Sequence, residues 1–445
     1  MHHVRTLATA TLLFAAAAPA RLAAQTGKQP SQPYVESSAG RALQRLTYGA
    51  FEGAGDPFSS VFANGSYQGL RDRFCTTAAC AAQPGVAESL LNRLVTQSQT
   101  FPTASTASGF TFNWGAGPVP ELETDMYGPL FGERGLTNGR GQLSATLTVQ
   151  RLSWRELDGA GIRSDDEGLL WGDTNYNGAG RGYAGRALVD IATDMAVFAA
   201  NYGVADGLDV NVAVPLVRTR VEGSNEFVDY VARDGQVVAV GAATGLVPQG
   251  RYYVRGESTG LGDVEIGAKY AFLRRGNGRL ALAATARLGT GSFDEMTGTG
   301  QGQGRVRLIG SYDLGAVSTH GNVMYGFAGE ELFDELGYVA GVDVRAVRNR
   351  LTLSAEFVGR RLFSVRGFRT GGTIATVRSP ASGELYPIVA FTGERNDIDL
   401  FFGGLGGKLR LTGQWLLSAY VLLPAGDSGL IAQRPTFNLG LNYAF

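Results

Sequence analysis

The residues of this chain best suited to chemistry are few. Beyond the first three positions there is one histidine, His320 in VSTHGNV, two residues from Ser318 and two from Asn322. Serine, histidine and an orienting third group are the ingredients of a hydrolase in which histidine activates the hydroxyl. Here the spacing i, i+2, i+4 sets all three on one face of one extended segment, with neighbouring positions about 6–7 Å apart. That is long for a nucleophile–base hydrogen bond. The pattern predicts an inward-facing histidine and no enzyme.

Other chemical signals are weaker still. SDDEG, starting at Ser164 and followed by WGDTNYNG, offers Asp165, Asp166, Glu167 and Asp173 with Asn175 and Asn177. Hard oxygens of this kind hold calcium, but the spacing fits no defined calcium loop, so a solvated acidic loop is expected. GTGSFDEMTGTGQGQG precedes no helix and has no phosphate-loop lysine, which argues against nucleotide binding. Cys75 and Cys80, in CTTAAC, have four residues between them and no histidine nearby. They predict a local disulfide in an oxidising compartment, not a metal site. No cofactor is implied.

Charge excludes another class. The chain has 39 basic and 40 acidic residues, and a 24-residue leader would remove Arg5 and Arg21, leaving 37 against 40. A strongly basic nucleic-acid surface is ruled out.

The elements that position these residues come from a repeated alternation. From about residue 141, apolar and polar or small residues alternate with period 2, the signature of a strand. In GDVEIGAKYAF, Val264, Ile266, Ala268, Tyr270 and Phe272 oppose Asp263, Glu265, Gly267 and Lys269. Leu143 to Val149 and Leu208 to Val214 alternate the same way. In VDIATDMAVFA, Val189, Ile191, Met195 and Val197 oppose Asp190 and Asp194. Continuing the pattern to the end gives about twelve strands, with fourteen as the alternative. Short links such as NYGVADG, RRGNG, DLGAV, VRN and TG alternate with long ones at 156–186, 219–260, 291–303 and 362–396.

Short turns alternating strictly with long loops are what a closed antiparallel transmembrane β-barrel requires. Hydrocarbon satisfies no backbone N–H or C=O, so a sheet in lipid must close on itself. The fold expected is therefore all-β, with apolar positions facing lipid and polar positions facing the lumen. The expected lumen set is Asp190, Asp194, Asp209, Asp263, Glu265, Lys269, Arg305, Arg307, Asp343, Arg345, Arg350, Glu356, Arg360, Lys408 and Arg410. Their mixed signs predict ion pairs that brace a narrow interior. One segment changes parity: Ile398, Leu400 and Phe402 give way to Leu405, Leu409 and Leu411. Gly403 and Gly404 are the expected site of a kink or bulge that resets the register.

The two ends agree with a membrane destination. Residues 1–24, MHHVRTLATATLLFAAAAPARLAA, have the layout of a secretory signal peptide, too short in its apolar run to span a bilayer. The last residues alternate to Tyr443 and Phe445. Such a terminal strand resembles the C-terminal signature that the barrel-assembly machinery of bacterial outer membranes recognises. Residues 25–140 differ: AGRALQRLTYGAF and GVAESLLNRLV have helical spacing, which predicts a partly helical plug or periplasmic segment before a barrel at 141–445.

FGERGLTNGRGQLSATLTVQRLSW, TGLGDVEIGAKYAF, LLSAYVLLPAGDSGL and PTFNLGLNYAF together resemble outer-membrane proteins grouped as transporters of the phenol meta-degradation pathway. That family is distantly similar to long-chain fatty-acid and aromatic-hydrocarbon transporters, although the Asn-Pro-Ala hatch motif of the former is not present. The resemblance implies passive uptake of small hydrophobic or aromatic molecules by a barrel embedded in outer-membrane lipid, and a monomeric state is expected. A closed structural or adhesive surface barrel is the alternative; an outer-membrane hydrolase ranks below both.

Overall fold

A computed structural model of the chain describes residues 35–48, 86–102, 112–113, 121–122, 126–163, 169–176, 181–233, 236–240, 250–329, 332–378, 385–412, 414–432 and 435–444. The expected leader, the Cys75–Cys80 pair and Phe445 lie outside these residues.

Twelve alternating segments form strands that close into a ring. They are β1 Leu143–Leu157, β2 Arg181–Ala205, β3 Leu208–Arg233, β4 Glu265–Arg275, β5 Gly278–Arg287, β6 Gln303–Asp313, β7 Val317–Ala328, β8 Asp334–Val347, β9 Leu351–Arg378, β10 Leu385–Arg410, β11 Trp415–Ala425 and β12 Thr436–Ala444. Neighbours pair antiparallel, and β12 pairs with both β11 (Tyr443 opposite Trp415) and β1 (Leu441 opposite Leu147). The count of twelve holds; Gly250–Leu261 continues the line of β4 along β3, and the short strand Val35–Ser37 pairs parallel with it.

Which face meets lipid is plain from burial. Phe198, Tyr202, Ile266, Tyr270, Leu308, Val323, Phe357 and Leu439 are exposed, while Thr146, Gln150, Asn201, Asp209, Lys269, Glu356 and Asn438 are buried. A water-soluble sheet would do the reverse. A ring without edges, apolar outside and polar inside, is a transmembrane β-barrel of the bacterial outer membrane. Links between β2–β3, β4–β5, β6–β7, β8–β9 and β10–β11 are tight turns that mark the periplasmic end. Gly207, at φ 87°, closes the first of them in a conformation that other residues resist.

Proline explains one break in the wall. Leu261 pairs with Leu216 and Glu265 with Ala213, so the line of β4 is interrupted opposite Pro215. Proline has no N–H to donate, and Gly262 donates to the Pro215 carbonyl at 2.8 Å instead.

Four expectations need correction. The first is β2, where Val189, Ile191 and Met195 are buried inside, and Asp190 and Asp194 lie outward, sharing the parity of exposed Phe198 and Tyr202. Asp190 pairs with Arg163 at 3.0 Å, and Asp194 bridges Arg151 and Arg220. Here the wall stands above the lipid belt, so charge belongs outside and apolar residues pack inward. The second is the kink: the ladder runs through Gly403 and Gly404 with no shift on either side. Inward Ile398, Leu400 and Phe402 are buried, while outward Leu405 and Leu411 are exposed. Parity of the apolar residues changes because the surroundings change, not the register. Thirdly, much of 219–260 and 362–396 is not loop but the continuation of β3, β9 and β10 as tall hairpins. Fourthly, Arg350 is exposed in the turn 348–350 rather than inside.

Described parts of the N-terminal region pack against the inward face of the wall. Two helices, α1 Ala39–Tyr48 and α2 Val86–Gln99, bring Leu43, Leu46, Leu91, Leu94 and Val95 into one cluster with Trp154, Ile191, Val221, Leu400 and Phe402. Gly40 permits this packing, since a Cβ there would run into the Asp294 carbonyl.

Candidate functional site

The periplasmic half of the lumen is polar, and an extended segment, 126–141, is tied into it. Its sequence, MYGPLFGERGLTNGRG, is too rich in glycine for a helix, so its amides need outside partners. The inward side chains supply them. Glu356 on β9 accepts from Leu130 N at 2.6 Å, Phe131 N at 2.7 Å and Gly132 N at 3.4 Å. Asn322 on β7 holds both backbone groups of Glu133, at 2.7 and 2.9 Å. Thr352 accepts from Tyr127 N, Ser311 from Gly135 N and Asp209 from Asn138 N. Lys408 donates to the Pro129 carbonyl at 2.7 Å.

Charge reinforces this seat. Arg134 reaches Asp343 at 3.0 Å with both side chains almost wholly buried. Glu133 meets Lys269 at 3.3 Å and also pairs with Arg307. Burial pushes the Glu133 carboxyl up, but Lys269 and Arg307 outweigh it and hold it below the ordinary glutamate value.

His320 sits behind the segment, its Nδ1 3.4 Å from Asp343 and its Nε2 3.2 Å from Glu356, all three side chains fully buried. These three offer ligand atoms within 4.8 Å of one another, the one such group among the described residues. Glu356 is already committed to three amides and Asp343 to Arg134 and Ser354. Ser318 is buried with its hydroxyl unpartnered, and Asn322 is committed to Glu133. No nucleophile–base pair forms from Ser318, His320 and Asn322.

Above the segment lies a cavity of about 190 Å³, bounded by Phe131 and Glu133 below and by residues 99–102 at the end of α2. One wall is charged. Glu265 takes Arg287 at 3.1 Å and Arg305 at 2.9 Å, and Glu335 takes Arg360 at 2.6 Å. Beside these charges the lining is apolar, with Phe101, Met195, Val197, Pro215, Val217 and Val358. Phe101 stacks edge-on against both Trp154 and Phe402, at 5.3 and 5.4 Å.

Of the expected lumen set, Glu265, Arg305, Arg307 and Arg360 line the cavity, with Asp263 at its rim. Asp209, Lys269, Asp343, Glu356 and Lys408 seat the segment. Arg345 and Arg410 take inward, half-buried positions lower in the wall. Tyr443 faces outward and packs on Trp415 at 4.7 Å. Sequence reasoning missed Glu133, Arg134, Asn138, Arg287 and Glu335. Glu335 has the parity of Asp343, and Arg287 the parity of Ala283, so extending each strand's alternation would have found both.

A family profile described as "Putative MetA-pathway of phenol degradation" matches residues 172–362, from the hairpin before β2 into β9. The family resemblance read from the sequence is borne out over these residues. Among solved structures, the chain is similar to an outer membrane channel from Pseudomonas putida at 12% identity and a TM-score of 0.43, over 69% of this chain and 96% of that one. The toluene transporter TbuX of Ralstonia pickettii aligns at 11% identity and 0.24, over 70% and 90%. The KdgM porin aligns at 9% and 0.31, over 67% and 99%. No curated protein matches.

Proposed function

We propose that the protein is an outer-membrane channel for passive uptake of small hydrophobic or aromatic molecules, stoppered by its own N-terminal segment. The observation that supports this reading is how the stopper is held. Segment 126–138 is fixed by separate side-chain contacts to β3, β6, β7, β9 and β10. It adds no strand to the ring, so it can move without unpairing the wall. The hydrogen bonds with neutral Ser311 and Asn322 contribute about 0.5–1.5 kcal/mol each, and those with charged Asp209, Glu356 and Lys408 about 1.5–3 kcal/mol each. The apolar wall of the cavity beside it suits a small ring. Among the described residues, Ser318, His320 and Asn322 form no nucleophile–base pair, and passive passage asks for none.

A second reading has one observation in its favour. The extracellular half of the lumen is packed with α1, α2 and the inward apolar residues, as a closed structural barrel would be. Uptake of a small aromatic tracer by vesicles carrying the folded protein, against empty vesicles, separates the two. Saturable uptake that changes on deleting residues 25–120 supports the channel. No uptake by protein of folded, heat-modifiable gel mobility supports the closed barrel.

A further inference from the structure

We propose that the cavity selects small single-ring molecules that carry a carboxylate, with Arg287 as the principal contact; this rests on the channel reading above. The charged wall is not evenly matched. Arg287, Arg305, Arg307, Arg360 and Lys269 share three glutamates, Glu133, Glu265 and Glu335. The remaining carboxylate, Asp263, is turned into the loop above, accepting from Gly291 N at 3.0 Å, Thr299 N at 2.8 Å and Thr299 Oγ1 at 2.6 Å. Glu265 is divided between two guanidinium groups through the same Oε1 atom.

Arg287 comes out of this arrangement least satisfied. Its side chain is only 10% exposed, it lines the cavity, and its Nη1 has no hydrogen-bond partner. Leaving a buried guanidinium donor unpaired is costly, and a carboxylate is the group that a guanidinium fork pairs with best. The apolar lining beside the charges fixes what the carboxylate should be attached to. Phe101, Val197, Pro215 and Val217 give the same cavity an apolar surface, Pro215 and Val217 on β3, the strand next to that of Glu265. A wholly apolar void of about 150 Å³ admits a benzene ring, and this cavity, part apolar and part charged, is about 190 Å³. A ring against the apolar wall would carry its carboxylate to the arginines. A neutral ring would leave them as they are, and an amine would meet their repulsion.

Calorimetric titration of the full-length folded protein in detergent with benzoate, benzyl alcohol and benzylamine tests the assignment. Benzoate is expected to bind one to one and at least about tenfold more tightly than either of the others, the scale of one charge-assisted hydrogen bond. Arg287→Gln should abolish that preference and Arg287→Lys should keep part of it. Glu265 retains Arg305 in both variants, and heat-modifiable mobility reports whether they fold. Equal affinity for benzoate and benzyl alcohol, or preference for benzylamine, overturns the proposal whatever the variants do. Vesicle uptake measured alongside keeps the two readings apart. Uptake without benzoate preference sinks this site and spares the channel. Benzoate preference without uptake spares the site and sinks the channel.

Discussion

The two halves of the lumen share one inward parity and have opposite interiors. In the periplasmic half the inward residues are Asp209, Asn322, Asp343, Glu356 and Lys408, and what they enclose is bare backbone. In the extracellular half they are Trp154, Ile191, Val221, Leu400 and Phe402, and what they enclose is the apolar face of two helices. An extended segment exposes its amides and needs polar partners, whereas a helix satisfies its own and needs only its side chains covered. The wall is matched to its filling. It follows that a barrel's inner surface cannot be read from alternation alone.

This contrast can be broken most sharply at Glu356. Glu356→Ala removes the acceptor of three segment amides and leaves His320 and Lys408 with less compensation, a loss on the order of 3–5 kcal/mol. A lower urea midpoint together with increased ion leak through loaded vesicles is the expected outcome. Leu94→Ala, in the helical half, should cost about 2–5 kcal/mol through a cavity, with no added leak because the polar seat is untouched. Leak from Leu94→Ala equal to that from Glu356→Ala would erase the distinction between halves.

Acid provides a gentler test. Glu133 is held below the ordinary glutamate value in the folded state, so its contribution is complete above that value and is lost as pH falls through the lower, folded one. Leak should therefore rise only below about pH 4.3, the unperturbed value. Glu133→Gln should remove that acid step, visible in leak recorded against pH. Smallest of all is Gly403→Ala. Nothing lies within 4 Å of the Cβ it would add, so stability should change by about 0.5 kcal/mol or less in urea titration. Gly404→Ala, whose Cβ would press on Phe131 at 3.2 Å, should do more. A large loss from Gly403→Ala would revive a hinge at this position.

The sequence by itself determined the barrel. Period-2 alternation, tight turns such as that at Gly207 and the regular spacing of links are local properties, and the need to satisfy backbone groups in lipid leaves one way to assemble them. Twelve strands were legible for that reason. Most lumen charges were legible too, because lipid fixes the outer face and the pleat then fixes the inner one. That logic stops where the lipid stops. Asp190 and Asp194 lie outside because β2 rises above the bilayer into a setting where water, not hydrocarbon, bathes the wall. Ile398, Leu400 and Phe402 point inward because α2 and Phe101 are there to receive them. Only the tertiary structure decided where residues 126–141 go, since glycine-rich backbone carries no periodic signal and its partners are spread over at least seven strands, β3, β4 and β6 to β10. It also decided that His320 faces two carboxylates and that Arg287, Arg305 and Glu265 share one wall. Long-range pairing sets those distances, and no spacing along the chain encodes them.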